Sequence, residues 1–246
     1  MKKIVLIFVF AAVSTISFAQ LTVGGHFAYN STWLMNKQVF DEGAEMDVAA
    51  SFGNYFGLIA GYYFSDEFGL EINFNSNKIE QKYSGSIKYV LSDERNNYNA
   101  STVLKTTDIP ILMKFGKNSY FEFGPLFQLI NKATYTRTFD ATSNFGWYND
   151  KVYPFTNELN KGVKAEFNGM GVGVCMGFGA NFNLIEDVLK LNFGLRFNYI
   201  LTDIQGVNGL GLVKEDPSYI SDSERVNFKT NPLYGGLKMG LVYIFE

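Results

Sequence analysis

Cysteine, histidine, tryptophan and proline are nearly missing from this 246-residue chain, which has one Cys, one His, two Trp and five Pro. The single Cys175 cannot close an internal disulfide, so the fold is not held by a covalent staple. One His and one Cys offer no metal-ligand spacing, and neither a metal nor any other cofactor is expected. Basic excess is missing too: 21 Lys and Arg face 24 Asp and Glu, a formal net charge of −3. That leaves no basic face for a nucleic acid. After the N-terminal stretch, no apolar run approaches the ~20 residues that a transmembrane helix needs. Present in quantity are Phe (24), Tyr (15) and Gly (24), without Leu-rich helical periodicity, a composition that suits strands.

The first nineteen residues have the parts of an export leader. Lys2 and Lys3 supply its positive start, Ile4 to Val13 its apolar centre, and Ser17-Phe18-Ala19 its small-x-small cleavage site. The apolar centre is too short to span a membrane, and no Cys follows Ala19 to carry a lipid anchor. The expected organisation is a signal peptide, residues 1–19, followed by one outer-membrane β-barrel domain, residues 20–246, a size suited to one all-β domain.

Eight segments of alternating apolarity follow. In the seventh, Leu189, Leu191, Phe193, Leu195, Phe197, Tyr199 and Leu201 share one face, and Lys190, Asn192, Gly194, Arg196 and Asn198 the other. In the sixth, Met170 to Phe182 alternate with a stripe of Gly171, Gly173, Cys175, Gly177 and Gly179. Glycine weakens a strand, so the stripe implies that something else needs the space; inside a narrow barrel, side chains from other strands need it. The second segment, Ser51 to Phe64, is apolar on both faces and leaves its register open. Between segments the connections alternate. Ser65–Glu67, Gly116–Ser119 and Asn183–Val188 are short, whereas about 32–47, 83–101, 138–166 and 204–231 are long and polar. Short periplasmic turns and long extracellular loops are the rhythm of an eight-stranded, antiparallel, up-and-down transmembrane β-barrel. Ten strands result if part of 138–166 adds a hairpin. A soluble exported barrel holding an internal ligand is the fold-level rival, because alternation alone does not say which face points inward. Aromatics near the short-turn end (Tyr62, Tyr63, Phe64, Tyr120, Phe121, Tyr243, Phe245) and near the long-loop end (Tyr29, Trp33, Tyr199) suggest two interfacial girdles.

The segment Asp108-Ile109-Pro110-Ile111-Leu112-Met113-Lys114-Phe115, a short turn, and a strand with Gly124-Pro125 together resemble PorT-like outer-membrane β-barrel proteins of the Bacteroidetes. The pair Gly57–Tyr63 and Phe68–Phe74 is similar to another unit of that family, and the resemblance covers roughly residues 50–130. It implies a location in the outer membrane and a barrel fold; some relatives assist a secretion and gliding apparatus. It carries over no functional residue. Physically, neither Pro110 nor Pro125 can donate to a ladder, so each implies a bulge or a local break.

Catalysis finds little support. The lone His26 lies on the inward face of the first segment, without a serine and an acid beside it, so no catalytic residue is assigned. Glu71, Asp108, Glu122, Lys114, Lys190, Arg196 and Lys238 share the lumen face and are expected to form a charge network that plugs the barrel, since buried charges must be paired. The loop residues Phe145, Trp147, Tyr148, Tyr153 and Phe155 are the candidates for surface contact, because rings stack while neighbouring amides bond. Asp41, Glu42, Glu45 and Asp47 are read as a solvated acidic cluster. The expected role is non-enzymatic, structural or accessory, with outer-membrane lipid around the wall and an envelope or secretion-machinery protein at the loops. A narrow channel for ions or small solutes is the first alternative, and a lipid-modifying enzyme a weaker one.

Overall fold

The computed structural model describes residues 20–36, 39, 42–65, 67–142, 144–148, 151–186, 188–213 and 229–245. The expected leader, Asp41 and most of the last long loop lie outside them. Among the described residues, eight long strands are present: β1 (Gln20–Asn36), β3 (Phe52–Ser65), β4 (Phe68–Tyr89), β5 (Arg95–Phe115), β6 (Ser119–Phe139), β10 (Met170–Ile185), β11 (Leu189–Ile200) and β12 (Thr230–Phe245). Four short ones, β2 (Asp47–Ala49), β7 (Phe145–Tyr148), β8 (Lys151–Pro154) and β9 (Glu158–Gly162), lie within the long connections. The sheet therefore has twelve strands where eight were expected. Its pairings run β3-β1-β12-β11-β10-β6-β5-β4, and β3 also pairs with β4, so this path returns on itself. β2 and β7 attach to β4, β8 to β7, and β9 to β6. The hairpin left open within 138–166 does form, as β7–β8, but outside the returning path.

Hydrophobicity is inverted in the lower part of the wall. Phe56 (65% exposed), Leu58 (68%), Phe74, Phe121, Phe178, Phe193 and Met239 point outward, while Glu71, Glu122, Arg196 and Lys238 are buried inside. A protein in water would turn these faces the other way, so the soluble ligand-binding barrel does not fit. The open register of the second segment is resolved, with Gly53, Tyr55, Gly57, Ile59 and Gly61 facing the lumen and Phe52, Phe56 and Leu58 facing out. Apolar outward stretches such as Leu21–Tyr29 and Phe121–Leu129 match the ~9–11 residues that a tilted strand needs to cross a bilayer.

Three strands run far beyond that band, which corrects the expected loop at 83–101. β4 continues to Tyr89 and β5 begins at Arg95, leaving only a tight connection. In this overhang the pattern changes phase. Lys78, Glu80 and Lys82 point away, while Ile79, Tyr83 and Ile87 on β4, Tyr98, Ala100 and Leu104 on β5, and Tyr135 and Phe139 on β6 are buried. They pack with Met46, Tyr148, Phe155, Val163, Phe167, Ile204, Val207 and Leu210 from the long connections into one hydrophobic cluster over the barrel mouth. Where lipid lies outside the wall, apolar side chains face out; where water does, they face in.

The prolines act as breaks rather than bulges. Pairing of β4 with β5 skips from Ile72–Ile111 to Asn75–Asp108, and pairing of β5 with β6 skips from Pro110–Leu126 to Met113–Phe123, with the register unchanged on either side. Between β5 and β6 the register shifts only at Lys105/Thr106, near the start of the overhang.

Candidate functional site: the packed lumen and the cap above it

Each lumen side chain owes its position to strand parity. Glu71 on β4, Lys114 on β5, Glu122 on β6, Arg196 on β11 and Lys238 on β12 all occupy inward positions. Their charged ends meet across the barrel. Arg196 Nε donates to Glu122 Oε1 at 2.6 Å, and its Nη1 donates to Asn73 Oδ1 at 2.7 Å. Its Nη2 lies 3.6 Å from Glu71. Lys114 Nζ reaches Glu71 at 3.3 Å, and Lys238 Nζ reaches Glu122 at 3.2 Å. Asn73 Nδ2 donates to Glu71 Oε1 at 2.8 Å. Two carboxylates thus bridge three cations, and each charge has an opposite neighbour, as burial demands.

Tyr120 lies inside as well, against its expected place in the aromatic girdle. Its ring lies 4.1 Å from the Lys114 ammonium and 5.3 Å from that of Lys238, an electrostatic contact with the ring face. Its hydroxyl donates to Asn192 at 2.9 Å. Tyr63 is also not fully outward, whereas Tyr62, Phe121, Tyr243 and Phe245 do face out at the short-turn end, and Tyr29 and Tyr199 at the other. The glycine stripe of β10 makes room for this network. A Cβ on Gly177 would come within 2.6 Å of Glu122 Oε1, and one on Gly179 within 2.5 Å of the Tyr120 hydroxyl.

Two members of the expected network stand apart from it. Asp108 is buried in the lumen but bonds to neutral donors: Thr106 at 2.7 Å, Asn77 at 2.7 Å, Gln128 at 3.1 Å, and the Tyr234 hydroxyl. Four donors saturate its two oxygens, so it forms a separate node held without a cation. Lys190 is half-buried at the short-turn mouth. His26 behaves as an interior histidine, its Nε2 2.6 Å from Asn75 Oδ1 and its ring edge-on to Tyr55.

The surface-contact candidates divide. Phe145 (55% exposed) and Trp147 (43%) point outward, together with Val152 on the paired strand. Tyr148 and Phe155 are buried in the cap, Phe155 against Phe139 and Tyr89. The Tyr153 hydroxyl donates to Leu210 O at 2.8 Å. Sequence reasoning missed Arg137, which ties the cap together: it donates to the Tyr153 hydroxyl, to Leu210 O and to Thr156 O, and lies 3.4 Å from Glu158. Its inward parity could have drawn attention to it, but it lies between the fifth apolar segment, which ends near Leu129, and the long connection expected from 138. Of the acidic cluster, Glu42 accepts from the Tyr148 hydroxyl at 3.0 Å and Glu45 pairs with Arg95 at 3.2 Å. Burial pushes the Tyr83, Tyr98 and Tyr135 hydroxyls of the cap above the usual tyrosine range; those of Tyr98 and Tyr135 donate to Glu45 O and Gly209 O.

An apolar outer face, a polar interior and a capped mouth are the physics of a strand-built membrane protein. Residues 18–206 match the outer membrane protein beta-barrel domain family. The chain belongs to that family. Its place is therefore the outer membrane, in an all-β, antiparallel, up-and-down barrel. Comparison with curated proteins finds no match. Among solved structures, it is similar to Neisserial surface protein A at 12% identity, covering 92% of this chain and 97% of that one, with a TM-score of 0.36. It is also similar to the outer membrane protein OprG of Pseudomonas aeruginosa at 15% identity, covering 93% and 97%, with a TM-score of 0.38. A third is Ail, the attachment invasion locus protein of Yersinia pestis, at 11% identity, covering 93% and 99%, with a TM-score of 0.36.

Proposed function

We propose that this family member is a non-enzymatic, PorT-like barrel of eight membrane-crossing strands, closed to solutes, whose capped outer end contacts an envelope or secretion-machinery protein. The observation that carries the reading is the division of labour among the loop aromatics. Tyr148 and Phe155 are spent on the cap core, while Phe145 and Trp147 stay exposed on a hairpin that the core holds in place. Rigid exposed rings lose little conformational entropy on contact, and such residues dominate protein interfaces. The short-turn side, with its Pro110 and Gly124-Pro125 strands, supports the PorT-like assignment through its resemblance to that group. A photo-crosslinking side chain at position 147 in intact cells tests the contact. The reading expects a discrete protein adduct that weakens in Phe145→Ser, and none from the same side chain at lipid-facing position 58. No adduct at 147, or equal adducts at both positions, would contradict it.

A narrow solute pathway is the competing reading. One observation favours it: the Asn30 side-chain amide and Gln128 Oε1 are buried without a protein partner among the described residues, and such groups call for water. The paired Glu71–Glu122–Arg196 cluster lies below these groups and the hydrophobic cap above, so planar bilayers holding the purified protein should show no discrete conductance steps. Regular steps at physiological salt would favour the channel.

A further inference from the structure

The short-turn mouth of the barrel holds a feature that the lumen network borders through Lys114 and that the cap does not touch. A narrow cavity of about 30 Å³ lies there, bounded in part by Gln20, Thr22, Tyr63, Lys114, Asn181 and Lys190. At about 10–15 Å³ for each water-sized occupant, it takes roughly two. That is the size of a carboxylate head with its two oxygens. Lys114, Lys117 and Lys190 all line it, and among the described residues no acidic side chain does.

Thr22 supplies an independent observation. It is 3% exposed, it lines the cavity, and its hydroxyl has no protein partner. A buried hydroxyl left unpaired is costly, so an occupant that accepts its proton is favoured. Asn181 is already committed, its Nδ2 donating to Lys117 O and its Oδ1 accepting from Asn192, both at 2.7 Å. The lysines have partners of their own, Lys114 in Glu71 at 3.3 Å. Lys114 also meets the Tyr120 ring at 4.1 Å, so what it offers an occupant is charge, in a network of three cations and two carboxylates, and the Thr22 hydroxyl is the open donor.

We propose that this cavity binds a carboxylate group presented from the periplasmic side. Lys114 and Lys190 balance its charge, and the Thr22 hydroxyl donates to one of its oxygens. A free small carboxylate and the C-terminus of a peptide share this chemistry.

The test uses the full folded chain in detergent micelles. Backbone amide shifts of Thr22, Gly116 and Asn181 are followed while sodium acetate is added, with sodium chloride at matched ionic strength as the reference. The site predicts saturable shifts with acetate that exceed those with chloride. In Thr22→Val and in Lys190→Met, binding weakens roughly tenfold, the size of one hydrogen bond to a charged group. Both variants should keep the heat-modifiable band of a folded barrel. Shifts no larger than with chloride, or an affinity unchanged in both variants, would overturn the proposal. Trialanine distinguishes the sources. Tighter binding than acetate, lost on C-terminal amidation, upholds the site as a reader of peptide ends; binding no tighter than acetate upholds it for small carboxylates.

Discussion

Glu122 is the residue on which the lumen depends most. It accepts from Arg196 and from Lys238, both fully buried, so its removal strands two cations at once. Breaking a buried pair costs about 3–5 kcal/mol because a charge is left uncompensated. Glu122→Ala should therefore lower the unfolding free energy in vesicles by that order, read as a lower denaturant midpoint. Asp108→Asn is the contrasting case. Its partners are neutral, so no charge is orphaned, and the loss should stay near 1–3 kcal/mol, the cost of mismatched hydrogen bonds. Equal losses in the two variants would contradict the separation of the nodes. Gly177→Val should prevent folding outright if the stripe exists to seat Glu122, since its Cβ would crowd both that carboxylate and Leu195 O.

At the scale of elements, the overhang of β4, β5 and β6 and the cap beneath it form a unit built in water on top of one built in lipid. Arg137 couples them by bonding the connection after β8 and the connection after β11 to the inner face of β6. Arg137→Ala should expose the long connections to protease in minutes where the parent resists, while the boiled and unboiled gel bands still differ. Proteolysis unchanged from the parent would mean that the aromatic cluster alone holds the cap. The lower wall was legible in the sequence because Leu189 to Leu201, Ile200 apart, and Met170 to Phe182 alternate, and the inward charges follow from the same parity. The overhang was not legible. Residues 77–89 do alternate, but with Ile79, Tyr83 and Ile87 inward and lysines outward, the reverse phase from Leu70–Phe74, and the polar content reads as loop. The bulge at Lys105/Thr106 hides the continuity further, since Ile130 and Ala133 both face inward across it. For the site, strand parity puts Glu71, Lys114, Glu122, Arg196 and Lys238 on the lumen face but does not separate Asp108 or Lys190 from the ion pairs. For Asp108 that distinction depends on the neighbours Tyr234, Asn77 and Gln128, which come from three different strands.

For the whole molecule, the decisive property is the inverted distribution of polarity, because stability then depends on the surrounding solvent. A charge placed on the outer wall near the bilayer midplane should cost about 2–4 kcal/mol for Arg. Phe56→Arg ought to show that loss in vesicles, and the same substitution at outward Ser84 on the overhang ought to show almost none. The returning strand path leaves the long strands without unpaired edges, which is what allows backbone groups to sit in hydrocarbon. The measurement that tests this most directly is gel mobility of the outer-membrane fraction, compared before and after boiling in detergent. A closed, lipid-facing barrel predicts recovery in that fraction and a band that shifts on boiling, as the intact hydrogen-bonded wall finally opens. A water-soluble protein whose mobility is the same in both samples would contradict it.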